Sequence, residues 1–245
     1  MIYSESYDIF HHMAQQKKED SLYSLDYFAG KTPDSPFEKD GSYLEVGSEH
    51  LTWKYQQLLN WINPKSQSKI LDVGCGPGHL HHTATALDLD IRITGLELHK
   101  DVADFATSKG ADVIVGDMTC PPEELLRQSF DILILNDVIE HVSQSEALST
   151  LSILKESLTP QGKLFLRSPS GKCVWTDKYW KDIDHKHMYS NEEIVELVSK
   201  AGFTNINITT IGHPDTQDFY TIDSDNCRPQ GGAIILLSAQ NFKQS

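Results

Sequence analysis

The chain has 245 residues, 35 acidic against 21 basic side chains, a formal net charge of −14 and four widely spaced cysteines with no C-x-x-C pair. A chain of this length buries about 70–75% of the surface its unfolded form exposes, so no metal or disulfide staple is needed, and the acidic balance argues against a nucleic-acid partner, whose phosphates call for Lys and Arg. Unpaired cysteines point to a reducing compartment, and a polar start without any membrane-length apolar run gives the expectation of a cytoplasmic protein with no membrane span.

Residues 1–65 carry no strand signal. "YDIFHHM" hints at a helix, residues 30–48 read as loop, and "LTWKYQQLLNWI" sets Leu51, Tyr55, Leu58, Leu59 and Ile62 on one helical face. From residue 69 onward, short apolar runs alternate with helical segments. "KILDVG" (69–74), "IRITGLEL" (91–98), "ADVIVGD" (111–117), "FDILILN" (130–136) and "GKLFLRS" (162–168) read as buried strands. Between them, "SQSEALSTLSILKESL" places Leu148, Leu151, Leu154 and Leu158 on an apolar helical face. Such alternation predicts a parallel sheet with right-handed crossovers. In "SNEEIVELVSKAGF", Ser190 and Glu193 form a capping box, and Gly202 marks the stop. Two further strands, 204–212 and 231–240, have no helix between them and are expected to pair antiparallel. The long excursion at 213–230 is of a length that is more often functional than idle.

"DVGCGPGHL" puts Gly74, Gly76 and Gly78 where the first strand hands over to a helix, the place where doubly wound sheets bind ligands. The spacing G-x-G-x-G matches neither the dinucleotide fingerprint nor a phosphate-binding P-loop. Asp72 before the loop suits a ligand ammonium. Glu97 ends the second strand and could accept both hydroxyls of a ribose. Asp117 could accept from an exocyclic amine, with Met118 as apolar cover for a base, and Asn136 and Asp137 end the fourth strand. A ribose, an amine-bearing base and a cationic tail describe S-adenosylmethionine.

The ordered motifs "ILDVGCGPGHL", "GLEL", "VGDM", "FDILILNDVIEHV" and "LTPQGKLFLRSPS", followed by a helix ending "AGF", resemble the class I S-adenosylmethionine-dependent methyltransferases over roughly residues 50–240. "NDVIEHV" and "DHKHMYSNEEIVELVSKAGF" are similar to the branch of ubiquinone-type O-methyltransferases and natural-product or sugar methyltransferases. The resemblance implies an α/β, Rossmann-like, seven-stranded and mostly parallel sheet with the last strand antiparallel. To this is added an N-terminal helical cap (1–65) on a methyltransferase domain (66–245), with 171–189 and 213–230 as acceptor-side insertions. It further implies that Asp72, Gly74, Gly76 and Gly78 hold the methionine end of the cofactor, Glu97 the ribose, Asp117 and Met118 the adenine, and Asn136 the methionine moiety.

Methyl transfer from a sulfonium depends on alignment and, for a hydroxyl acceptor, on a base. His141 and His185 are the catalytic candidates; His141 serves either as base or as a backbone anchor, His185 either as base or in positioning the following helix. His187 is chemically able but off the motif, and Asp184 stands beside His185. Trp175, Tyr179 and Trp180 either wall an acceptor pocket or anchor their loop. Cys75 reads as packing. The pairs His11–His12 and His81–His82 lack metal-ligand spacing, so no metal is expected. The expected partner is a small-molecule acceptor, methylated on oxygen or nitrogen. Protein or peptide methylation and a non-catalytic cofactor-binding module are the alternatives.

Overall fold

The computed structural model describes residues 23–32, 35, 42–172, 185–212 and 234–242. The expected helix at "YDIFHHM", His11, His12, Trp175, Tyr179, Trp180, Asp184, Cys173, Cys227 and the 213–230 excursion lie outside these residues.

The buried strands are β1 (Lys69–Val73), β2 (Arg92–Glu97), β3 (Asp112–Val115), β4 (Phe130–Asn136), β5 (Leu158–Pro169), β6 (Phe203–Ile211) and β7 (Ile234–Asn241). They form one seven-stranded sheet in the order β3-β2-β1-β4-β5-β7-β6. Neighbours from β3 across to β5 run parallel. β7 runs antiparallel to both β5 and β6; the pairing with β6 is the one expected from a sequence with no helix-length apolar pattern between the last two strands. Parallel strands put the carboxyl ends of β1 to β5 on one edge of the sheet, and the candidate site lies there.

Seven α-helices are described: α1 (Leu25–Phe28), α2 (Glu49–Ile62), α3 (His79–Ala86), α4 (Lys100–Ser108), α5 (Glu123–Leu126), α6 (Gln144–Glu156) and α7 (Asn191–Lys200). Alternate strand residues feed two cores. Ile70, Ile132, Ile134 and Phe165 pack with Tyr55, Leu58, Leu59 and Ile62 of α2 and Leu80 and Ala84 of α3. Leu71, Val73, Leu133, Leu135, Leu164 and Leu166 pack with Leu151 and Leu154 of α6 and Ile194, Leu197 and Val198 of α7. The predicted stripe of α2 is buried at all five positions. Both α6 and α7 start with reciprocal capping boxes, Ser143–Glu146 and Ser190–Glu193; only the second was anticipated.

One sequence expectation changes. Leu158 does not extend the apolar face of α6, which ends at Glu156; it opens β5 and pairs with Phe130. Three- and four-residue spacing does not mark where a helix stops when the next strand begins on an apolar residue of the same core. Among the described residues, no helix is long and apolar enough to cross a membrane.

Candidate active site

The loop after β1 takes its shape from its glycines. Gly74, Gly76 and Gly78 adopt φ of 67°, 53° and 85°, the left-handed region that side chains disfavour. The Gly74 and Cys75 amides donate to the Leu96 carbonyl at 2.8 and 3.2 Å, folding the loop over the end of β2. Cys75 fills the space above Gly95, and burial pushes its thiol up, so it packs as expected.

Glu97, at the end of β2, is buried and holds the loop from the other side. Its Oε2 accepts from the Gly76 amide at 3.0 Å and its Oε1 from the His99 amide at 2.9 Å. Asp72 is 5% exposed. Burial, with the Glu97 charge adding to it, pushes Asp72 up to about 7. Burial likewise raises Glu97 to about 7 against the pull of its backbone donors. Among the described residues neither acid is in an ion pair. Two buried acids beside the exposed Gly74 backbone fit a ligand that brings an ammonium and hydroxyl donors. A Cβ on Gly74 would lie 2.7 Å from Val138 Cγ2, so a side chain there would force Val138 to shift.

Asp117 is buried beyond β3, and its Oδ1 accepts from the Thr119 amide and hydroxyl, each at 2.8 Å. Met118 beside it is half-buried and packs on the core. Asn136 is half-buried at the end of β4. The next residue, Asp137, takes φ 57° and pairs with the buried Arg167 guanidinium on β5.

A second cluster follows β4. A 3₁₀ turn, Ile139–His141, buries Glu140 completely. The Glu140 backbone carbonyl accepts from the Lys186 and His187 amides at 2.7 and 3.1 Å, docking the segment that carries His185. The His141 and His185 rings thereby meet with centroids 4.8 Å apart. Ser168 donates to Glu140 Oε2 at 3.1 Å. His187 turns elsewhere, toward Gln144 and Tyr189.

The described part of the N-terminal region spans both clusters. The Leu25 amide, which opens α1, donates to Asp101 Oδ2 at 2.8 Å. Phe28 lies 3.7 Å from the position a Cβ on Gly76 would take. Tyr23 places its hydroxyl 3.0 Å from His141 Nδ1. Tyr23, Phe28, Asp101 and the Glu140 carboxyl were missed in the sequence; the only signal was an aromatic run, "LYSLDYF", ahead of the first strong helix.

With this geometry in view, the profile of a methyltransferase-domain family matches residues 48–208. The chain belongs to that family. Among relatives of this methyltransferase-domain protein, phosphoethanolamine N-methyltransferase 1 of Arabidopsis thaliana is 25% identical over 62% of this chain and 32% of its own. A tRNA U34 carboxymethyltransferase of Saccharophagus degradans is 24% identical over 71% of this chain and 57% of its own. The chain thus spans under two thirds of the length of either relative. An S-adenosylmethionine-dependent methyltransferase from Thermotoga maritima superposes with a TM-score of 0.64 at 19% identity, over 89% of this chain and 99% of its own, which shows the shared fold. S-adenosylmethionine is the cofactor that membership of the family implies.

Proposed function

We propose that this protein transfers a methyl group from S-adenosylmethionine to an oxygen or nitrogen of a small-molecule acceptor. The observation that carries this reading is the adjacency, on one edge of the sheet, of a glycine-and-carboxylate cradle and a histidine pair, bridged by the segment from Tyr23 to Phe28. The bound cofactor supplies a methyl group on a positively charged sulfur. Asp72 and the Gly74–Gly78 backbone bind its amino-acid end, Glu97 its ribose, Asp117 and Met118 its adenine, and Asn136 its methionine chain. Residues 1–65 act as a cap, 66–245 as the catalytic domain, and 171–189 and 213–230 as acceptor-side insertions. Tyr23 and Phe28 keep water from the cleft. His141 or His185 takes the acceptor's proton, since imidazole suits general-base work near neutral pH.

A small acceptor is favoured by the −14 charge, which repels polyanions. The likeness to a tRNA-modifying enzyme favours an RNA acceptor instead, and the two readings differ in a measurable way. Labelled-methyl transfer into compound pools and into tRNA, with products identified by mass spectrometry, tests both. Labelled small molecules support the proposal. Labelled tRNA moves the acceptor to a macromolecule, and cofactor binding without transfer to either pool overturns the proposal.

A further inference from the structure

Glu140 presents a problem that the methyl-transfer reading leaves unsolved. Its side chain is wholly buried. Oε2 is met by the Ser168 hydroxyl, whereas Oε1 has no hydrogen-bond partner. A buried carboxyl group left half-satisfied is costly, and proteins answer it with a hydrogen-bond partner, a proton or a cation. The groups that converge on it are two imidazoles. One ligand-capable atom from each of Glu140, His141 and His185 lies within 4.8 Å of the other two, the only such trio of metal-ligating side chains among the described residues.

We propose that Glu140, His141 and His185 form a binding site for one divalent first-row transition cation of zinc-like preference. Two imidazoles and one carboxylate are a donor set of intermediate softness, which suits Zn²⁺, Co²⁺ or Fe²⁺ better than Mg²⁺, an ion that prefers oxygen ligands. In a tetrahedral site, two ligands about 2.0–2.1 Å from one zinc-like ion lie about 3.4 Å apart. Atoms within 4.8 Å of one another therefore have to close by up to about 1.4 Å, a movement within reach of side-chain rotation at the half-buried histidines.

The surroundings fit ligand duty. The Tyr23 hydroxyl stands 3.0 Å from His141 Nδ1, and the Met188 sulfur 3.1 Å from His185 Nδ1. Protons on both Nδ1 atoms would make Nε2 the coordinating atom of each ring, with Tyr23 fixing the His141 tautomer, as outer partners of metal-bound histidines do. Ser168 steadies the carboxylate in the same way. Three protein ligands leave at least one coordination position for water or an acceptor oxygen, the mark of a catalytic site rather than a structural one. With both imidazoles on the cation neither serves as the base; instead, a hydroxyl bound there loses its proton to solvent at a lower pH than a free one. That last role rests on the proposed methyl transfer; the cation site itself does not.

The test uses the untagged full chain, stripped with chelator and titrated with Co²⁺, read by visible absorption and by metal content per chain. S-adenosylmethionine affinity is measured in parallel by calorimetry. One Co²⁺ per chain is expected, with the absorption band lost in Glu140→Ala and in His185→Ala, and affinity reduced about 10-fold in Tyr23→Phe. His185→Ala changes a half-buried side chain, so it decides the matter even if the core substitution fails to fold. No uptake by the wild type, or uptake with the same band in His185→Ala, overturns the site. S-adenosylmethionine binding without Co²⁺ uptake removes the cation and leaves the proposed function standing; Co²⁺ uptake without S-adenosylmethionine binding does the reverse.

Discussion

Gly74 and Gly76 both turn left-handed, yet they tolerate a side chain differently. A Cβ on Gly76 would touch the Phe28 ring at an ordinary 3.7 Å, whereas one on Gly74 would overlap Val138. Gly76→Ala should therefore cost only the backbone strain, about 1–2 kcal/mol. Gly74→Ala should cost about 2–4 kcal/mol once overpacking is added. Urea denaturation of both variants checks the order; equal losses would contradict it. Glu97 carries a different burden, because its two oxygens tie the loop to the start of α4. Hydrogen bonds to a charged group are worth about 1.5–3 kcal/mol. Asp72→Ala and Glu97→Ala should each weaken S-adenosylmethionine binding by at least about 10-fold, and wild-type affinity in both by calorimetry would refute the cradle.

At the scale of elements, caps and straps set the details. Ser190→Ala removes one half of the α7 capping box and should cost about 1 kcal/mol in a chemical denaturation experiment. Asp101→Ala removes the acceptor for the first amide of α1, worth about 1 kcal/mol. Its expected signature is an about fivefold loss of hydrogen-exchange protection at residues 25–28, with the sheet unchanged. The same scale explains what was legible in the sequence. The strands and the buried face of α2 could be read because periodicity is local and burial is written into neighbouring residues. The capping box of α7 was equally local. Glycine spacing and strand-end acids located the loop and the buried acids at one edge of the sheet, since each sits at a fixed offset from its strand. The Tyr23–His141 contact joins residues 118 apart, and no local pattern announces such a meeting. The role of Glu140 stayed hidden too, because an acid beside a histidine reads the same whether it faces solvent or is sealed in the core.

Over the whole molecule, the buried acids make stability depend on pH. Burial holds Asp72 and Glu97 at about 7 and Glu140 at about 8. The native state thus keeps protons that the unfolded chain releases above roughly pH 4. Their contribution is full below that pH and is lost as pH rises through about 7 to 8. The exposed carboxylates of Asp90 and Glu192 are shifted down, so they act at lower pH, outside this window. Buried His79, held down to about 3, works in the opposite sense below about pH 6.5. Thermal melts of chelated, ligand-free protein should therefore show Tm falling between about pH 6.5 and 8.5; a flat or rising Tm there would contradict the burial of these acids. The order of the sheet has a consequence of another kind. β7 lies between β5 and β6, which form no pairing of their own. During synthesis, residues 203–211 leave the ribosome with no strand yet available beside them, and the sheet stays split until 234–241 emerge and slide between the two. A chain cut after residue 230 would present two raw strand edges, 158–169 and 203–211, to every other copy in solution.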